Sequence, residues 1–167
     1  MPRDGLQVSG MFFWEVWGDD GRPRRAGVFH NGILQAGINS LLDTYFRYGT
    51  APAAFYLGII DDSGYTALAS DDTMASHSGW SEVTSYAAAT RPAWGPEAAA
   101  AGLLTATAPC SFVMNASKTA KGLFVCTDST KGGSTGTLWA HGLFETEQVL
   151  QSTETLKCYY ELRARSG

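Results

Sequence analysis

Leu156-Lys157-Cys158-Tyr159-Tyr160-Glu161-Leu162-Arg163 decides the fold. Leu156, Cys158, Tyr160 and Leu162 fall on one side of an extended chain, and Lys157, Glu161 and Arg163 fall on the other. Such alternation buries one face of a strand and leaves the other to solvent. The same period of two recurs upstream. Leu138, Ala140, Gly142 and Phe144 share one face; Gly122, Phe124 and Cys126 alternate with Lys121 and Thr127; Cys110, Phe112 and Met114 alternate with Ser111 and Asn115. Near the start, Phe12 to Trp17 is rich in aromatic and β-branched residues, and Gly18-Asp19-Asp20-Gly21 turns the chain into Ala26-Gly27-Val28-Phe29, which reads as a hairpin. Phe55 to Ile60 is apolar on both faces and predicts a central strand covered on both sides. Trp80 to Tyr86 adds a further strand of mixed polarity.

One segment breaks the pattern. Leu34, Ile38, Leu41 and Tyr45 recur at spacings of four, three and four, which lines one face of an amphipathic helix over about residues 32–47. Asn31 reads as its N-cap and Gly49 as its stop. Ile33, Leu42 and Phe46 widen the stripe enough to clamp it onto a sheet or another subunit. A short helical turn is expected over about residues 71–76, capped by Ser70 or Asp71. Arg91 to Ala101 reads as a loop, because its few alanines cannot hold a helix alone. Seven or eight short strands without βαβ alternation predict a mainly β fold, an antiparallel, jelly-roll-like β-sandwich. With 167 residues and no long linker, residues 1–167 read as a single domain, with residues 1–10 a flexible or partner-bound arm.

Composition narrows the function classes. Hydrophobic residues make up 44% and aromatic residues 12%, too apolar for a disordered chain, while the charged share of 17% leaves a surface built largely from Ser, Thr and Gly. The net charge of −4, without a basic block, argues against direct nucleic-acid binding. Arg22, Arg24 and Arg25 beside Pro23 form the nearest thing to a basic cluster and are the candidate contacts to a partner. Met1-Pro2-Arg3-Asp4 lacks the apolar run of a signal peptide, and no later stretch has the length and apolarity of a membrane helix, so synthesis in a cytoplasm and no membrane partner are expected. Cys110, Cys126 and Cys158 sit at apolar strand positions without CxxC spacing and read as buried free thiols.

Each apparent catalytic signal has a structural explanation. In Asp128 to Gly136 the lysine precedes the glycines and a strand follows, the reverse of a P-loop, so the segment reads as a flexible hairpin loop. The pairs Asp19-Asp20, Asp61-Asp62 and Asp71-Asp72 lie at turn or cap signals, where Asp bonds its own backbone. His30, His77 and His141 lack metal-ligand spacing, so a metal site would need the fold to gather them. No GxSxG elbow occurs. No enzyme, cofactor or metal is therefore expected, although a hydrolase built on His77 or His141 stays open as an alternative. Trp80, Trp94 and Trp139 are either core or a candidate aromatic binding surface that stacks on sugar rings.

The block Phe55 to Asp61, followed by Tyr65 to Trp80, resembles small structural proteins of tailed bacteriophages. The likeness takes in Gly32 to Phe46, Thr90-Arg91-Pro92-Ala93-Trp94, Ser129 to Gly136 with Leu138-Trp139, and Leu156 to Leu162, and it is weakest over Met1 to Gly27. It implies a capsid cement, or decoration, protein with a jelly-roll-like sandwich, bound to the major capsid protein on the outer surface of the virion as a homo-dimer or other homo-oligomer. The alternative within the virion is a tail or fibre protein that binds host glycan.

Overall fold

The computed structural model describes residues 5–166. Ten strands and one helix follow in the order β1 (Leu6–Trp17), β2 (Pro23–Ile33), α1 (Gln35–Phe46), β3 (Phe55–Asp61), β4 (Ser81–Glu82), β5 (Ala93–Trp94), β6 (Leu103–Leu104), β7 (Cys110–Val113), β8 (Lys118–Cys126), β9 (Leu138–Leu150) and β10 (Thr155–Ser166). The fold is mainly β, antiparallel and sandwich-like, as the alternation predicts. Its strands form one curled path, β4-β3-β8-β9-β2-β1-β10-β6, with β5 beside β3 and β7 beside β10.

Strand β2 makes the curl. Residues Pro23 to Asn31 pair with β1, and then Gly32 and Ile33 pair with His141 and Ala140 of β9. The β1–β2–β10 half thereby folds over the β3–β8–β9 half, and the principal core fills the space between. Phe12, Trp14, Val16, Phe112, Leu156 and Tyr160 reach it from the first half; Leu57, Ile59, Leu123, Val125 and Ala140 reach it from the second. The aromatic side chains meet in tilted or edge-on pairs, among them Phe12–Tyr160 at 4.8 Å and Trp14–Phe144 at 5.1 Å, geometries that suit the ring quadrupoles.

A second, smaller core lies on the far side of the β3–β8–β9 sheet. Ile60, Phe124, Cys126 and Leu138 point into it and are covered by Leu34, Met74 and Trp80, with Tyr65 and Leu68 at its edge. The long connection between β3 and β4 thus roofs this sheet, which explains why both faces of β3 are apolar. It also explains a misreading of β8. Gly122 to Cys126 are buried without interruption, so the strand is two-sided and the apparent alternation with Lys121 and Thr127 reflects only its ends.

Four further expectations are corrected by the structure. The N-terminal arm does not form over its second half, because Leu6 to Gly10 pair with Leu162 to Ser166; residues 1–4 lie outside the described residues. Asn31 belongs to β2, so α1 starts after Leu34 and no side chain caps it. At its other end the Arg47 and Gly49 N–H groups both bond the Asp43 carbonyl, at 3.1 and 3.0 Å, while Tyr48 takes the left-handed conformation at φ 55° and turns the chain out of the helix. Residues 71–76 form turns joined by a Thr73–Ser76 bridge rather than a helical turn. Of Trp80 to Tyr86, only Ser81 and Glu82 pair as a strand.

Candidate functional site

The three arginines stand where the hairpin reading puts them, at the β1–β2 end, but two are occupied within the chain. Arg24 pairs with Asp20 at 3.1 Å. Arg25 donates to the Val149 carbonyl at 2.8 Å and reaches Glu154 at 3.4 Å, tying the hairpin to the β9–β10 end. Among the described residues Arg22 alone of the three has no ionic partner, and it is exposed.

The tryptophans do not form an exposed aromatic surface. Trp80, Trp94 and Trp139 are each 5% exposed, because a curled sheet of this size needs its largest side chains to fill the interior. The Trp139 indole N–H donates to the Tyr160 hydroxyl at 3.2 Å, inside the principal core. The Trp80 N–H donates to Asp72 at 2.9 Å inside the smaller one.

The fold does gather two of the three histidines. His77 stacks on Trp80 at 3.9 Å between ring centroids, and His141 stands edge-on to the same indole. Asp72 lies 3.4 Å from His141 and also accepts the Ala69 backbone N–H at 3.0 Å. The imidazoles hydrogen-bond main-chain carbonyls: His77 Nδ1 that of Trp80 at 3.0 Å, His141 Nε2 that of Ala69 at 3.1 Å. A carbonyl only accepts, so each of those nitrogens carries a proton and is committed to holding the roof segment in place. Among the described residues no three His, Cys, Asp or Glu side chains converge in the manner of a metal site.

The remaining acidic pairs serve turns and ion pairs. Asp20 accepts the Arg22 N–H at 3.1 Å, and Asp61 accepts the Ser63 N–H at 2.9 Å and the Lys118 ammonium at 3.0 Å. The Asp128 to Gly136 loop differs from the flexible segment expected. Lys131 donates to the Tyr86 and Ala88 carbonyls at 2.9 and 2.7 Å, and Arg91 donates to the Asp128 and Gly133 carbonyls at 2.9 and 3.0 Å. The lysine that suggested an anion cradle is spent on the chain itself.

Two surfaces are left open. On the outer face of β1–β2–β10, Phe13 lies directly between Val28 and Tyr159, with Met11 and Trp17 further along the same face of β1. These apolar side chains are half-buried or, for Val28, exposed, and Glu15, Lys157, Glu161 and Arg163 flank them. The second surface is α1. It rests on β9 through Gly37, whose absent Cβ would stand 2.6 Å from the Trp139 carbonyl oxygen, and its apolar stripe turns outward. Beside it opens a cavity of about 280 Å³ lined by Leu41, Phe55, Trp94, Leu104, Trp139 and Leu162. The period of α1 was readable in the sequence, but nothing in that period says whether the stripe meets this chain or another. No protein-family model matches the chain, and no curated protein matches it either.

Proposed function

We propose that the chain is a structural protein of the tailed-bacteriophage virion, a cement or decoration protein that binds the major capsid protein on the outer surface of the assembled shell. The observation that carries this reading is the open outer face of β1–β2–β10. Long paired strands hold Met11, Phe13, Trp17, Val28 and Tyr159 on one rigid, pleated surface ringed by charges of both signs. Rigid apolar anchors within a polar rim are the composition of a protein-binding surface. The resemblance of Phe55 to Trp80 to phage structural proteins supplies the partner, and Arg22, exposed at the end of the same hairpin, is the candidate ionic contact.

The mechanism is surface burial repeated over a lattice. An interface of ~1,600 Å² need be only modest in affinity when many copies clamp neighbouring subunits of one shell. The test is co-sedimentation of purified protein with expanded shells that lack it. Binding that Phe13→Glu and Tyr159→Glu abolish is expected. Failure of the unmodified protein to sediment with such shells sinks the reading.

A further inference from the structure

We infer that the open face of α1 is the interface of a homodimer, in which the Tyr45–Phe46 edge of each copy enters the cavity beside α1 of the other. The inference goes beyond the shell-binding reading and rests on the geometry of α1 and of the cavity beside it.

The helix leaves uncovered what a folded chain normally hides. Ile38 is 39% exposed, Leu41 36%, Leu42 45%, Tyr45 75%, Phe46 68%, and Tyr48, just past the helix end, 95%. With ~150–250 Å² for each aromatic side chain, Tyr45, Phe46 and Tyr48 alone present on the order of 500 Å². The three aliphatic side chains bring the patch to roughly 700 Å², close to the ~800 Å² that each partner contributes to a stable interface. Isolated apolar residues on a surface need no explanation; a contiguous patch of this extent marks a contact site.

Three features select a second copy as the occupant. A protruding edge and a recess both belong to α1: Tyr45 and Phe46 pack edge-on at 5.0 Å between centroids near its end, and Ser40, Leu41 and Thr44 of the same helix line the cavity that Phe55, Trp94 and Trp139 close from the sheet. A two-fold axis brings the edge of each copy to the recess of the other, which is the self-complementarity an isologous interface requires. The sizes also agree, since an apolar cavity of ~150 Å³ holds a benzene ring, so about 280 Å³ admits the Phe46 ring together with part of Tyr45. The face is also electrically neutral. Among the described residues its charges are Asp43 and Arg47, which bond each other at 3.1 Å, so the faces of two copies meet without repulsion.

The test is sedimentation equilibrium of the full chain over a micromolar dilution series. The expected mass is twice 17.9 kDa. Leu42→Glu with Phe46→Glu, both at exposed positions, places like charges across the axis, and Ala51→Trp, at an exposed residue on the cavity rim, blocks the recess from outside. Each variant is expected to sediment as a single chain with an unchanged far-ultraviolet dichroism spectrum. A single-chain mass for the unmodified protein throughout the series overturns the inference, as does either variant remaining dimeric. Vesicle flotation run in parallel identifies a lipid surface as the occupant if the monomeric protein floats. Because no shell is in the assay, these failures are distinct from failure to bind capsids.

Discussion

Arg91 holds Glu82 by two parallel hydrogen bonds in the interior: Nε–H donates to Oε1 at 2.9 Å and an Nη2 hydrogen to Oε2 at 2.7 Å, with the side chains 1% and 6% exposed. The guanidinium also lies 5.3 Å from the centre of the Phe124 ring. Its backbone N–H bonds the Ser129 carbonyl at 2.8 Å, and the Gly132 N–H donates to Glu82 at 2.7 Å. One ion pair therefore fastens β4, the loop before β5 and the Asp128 to Gly136 loop to the central sheet.

Breaking that pair leaves a carboxylate without its counter-charge in a dry site. Arg91→Met is expected to cost about 3–5 kcal/mol in urea unfolding, the usual penalty for stripping one partner from a buried pair. Arg91→Lys restores little, because a single ammonium cannot reproduce the fork that meets both oxygens. Proteolysis should nick Ser129 to Gly136 first in the Met variant. A loss under 1 kcal/mol would mean that the pair is not the fastening it looks to be.

How much of this was legible in the sequence follows from what periodicity reports. The alternation in β10 records a strand with one wet and one dry face, so that strand could be read residue by residue, whereas β1 announced itself through its aromatic and β-branched content and the turn after it. The roof over β8 is carried by a segment some fifty residues away, and no local pattern in Gly122 to Cys126 announces it. The same holds for Arg91 and Lys131. Each looks like a surface charge until the fold places carbonyls around it. The tryptophans were ambiguous for a related reason, since an indole serves a core or a binding face equally well and only the curl of the sheet decides between them.

Burial makes the fold sensitive to alkali. It pushes the Cys110 thiol and the Tyr160 phenol each up to about 12, and it raises Cys158 well above the ordinary thiol range. In the unfolded chain these groups ionise near ~8.5 and ~10, so the unfolded state releases its protons first while the native state keeps them. Stability is therefore intact below about pH 8.5 and declines as pH rises toward 12. Urea midpoints measured from neutral to strongly alkaline pH should fall, with a shallower fall in a Cys110→Ala, Cys158→Ala variant. In the native state a thiol-specific reagent should leave these cysteines unmodified at mildly alkaline pH, and rapid labelling there would contradict the picture.

Gly58 carries one of the closest approaches in the central sheet. A Cβ there would stand 2.1 Å from the tip of the Phe124 ring. The ring has nowhere to withdraw, because Trp80 packs at 5.2 Å between centroids and Arg91 lies over it. Gly58→Ala is expected to destabilise the protein by about 3 kcal/mol, at the upper end of the cost of overpacking a filled core. Pairing it with Phe124→Leu, which shortens the obstructing side chain, should recover part of the loss; a double variant no better than the sum of its parts would place the strain elsewhere.

Thr153 offers a change in the opposite direction. It occupies the turn between β9 and β10 at φ 75°, a left-handed conformation that a β-branched residue adopts only under strain. Its backbone N–H bonds the Met114 carbonyl at 2.8 Å, and the Glu154 N–H bonds the Gln151 carbonyl at 3.1 Å, so the turn holds the conformation from both sides. The side chain is exposed, and removing it exposes no apolar surface. Thr153→Gly is expected to stabilise by about 1 kcal/mol, the relief of left-handed strain exceeding the added freedom of the unfolded chain. Thr153→Asn should gain a similar amount without that entropic penalty, since Asn tolerates the same region. Thermal unfolding distinguishes the outcomes: both variants should melt above the parent, and a lower melting temperature for Thr153→Gly would show that the threonine side chain contributes something its exposure conceals.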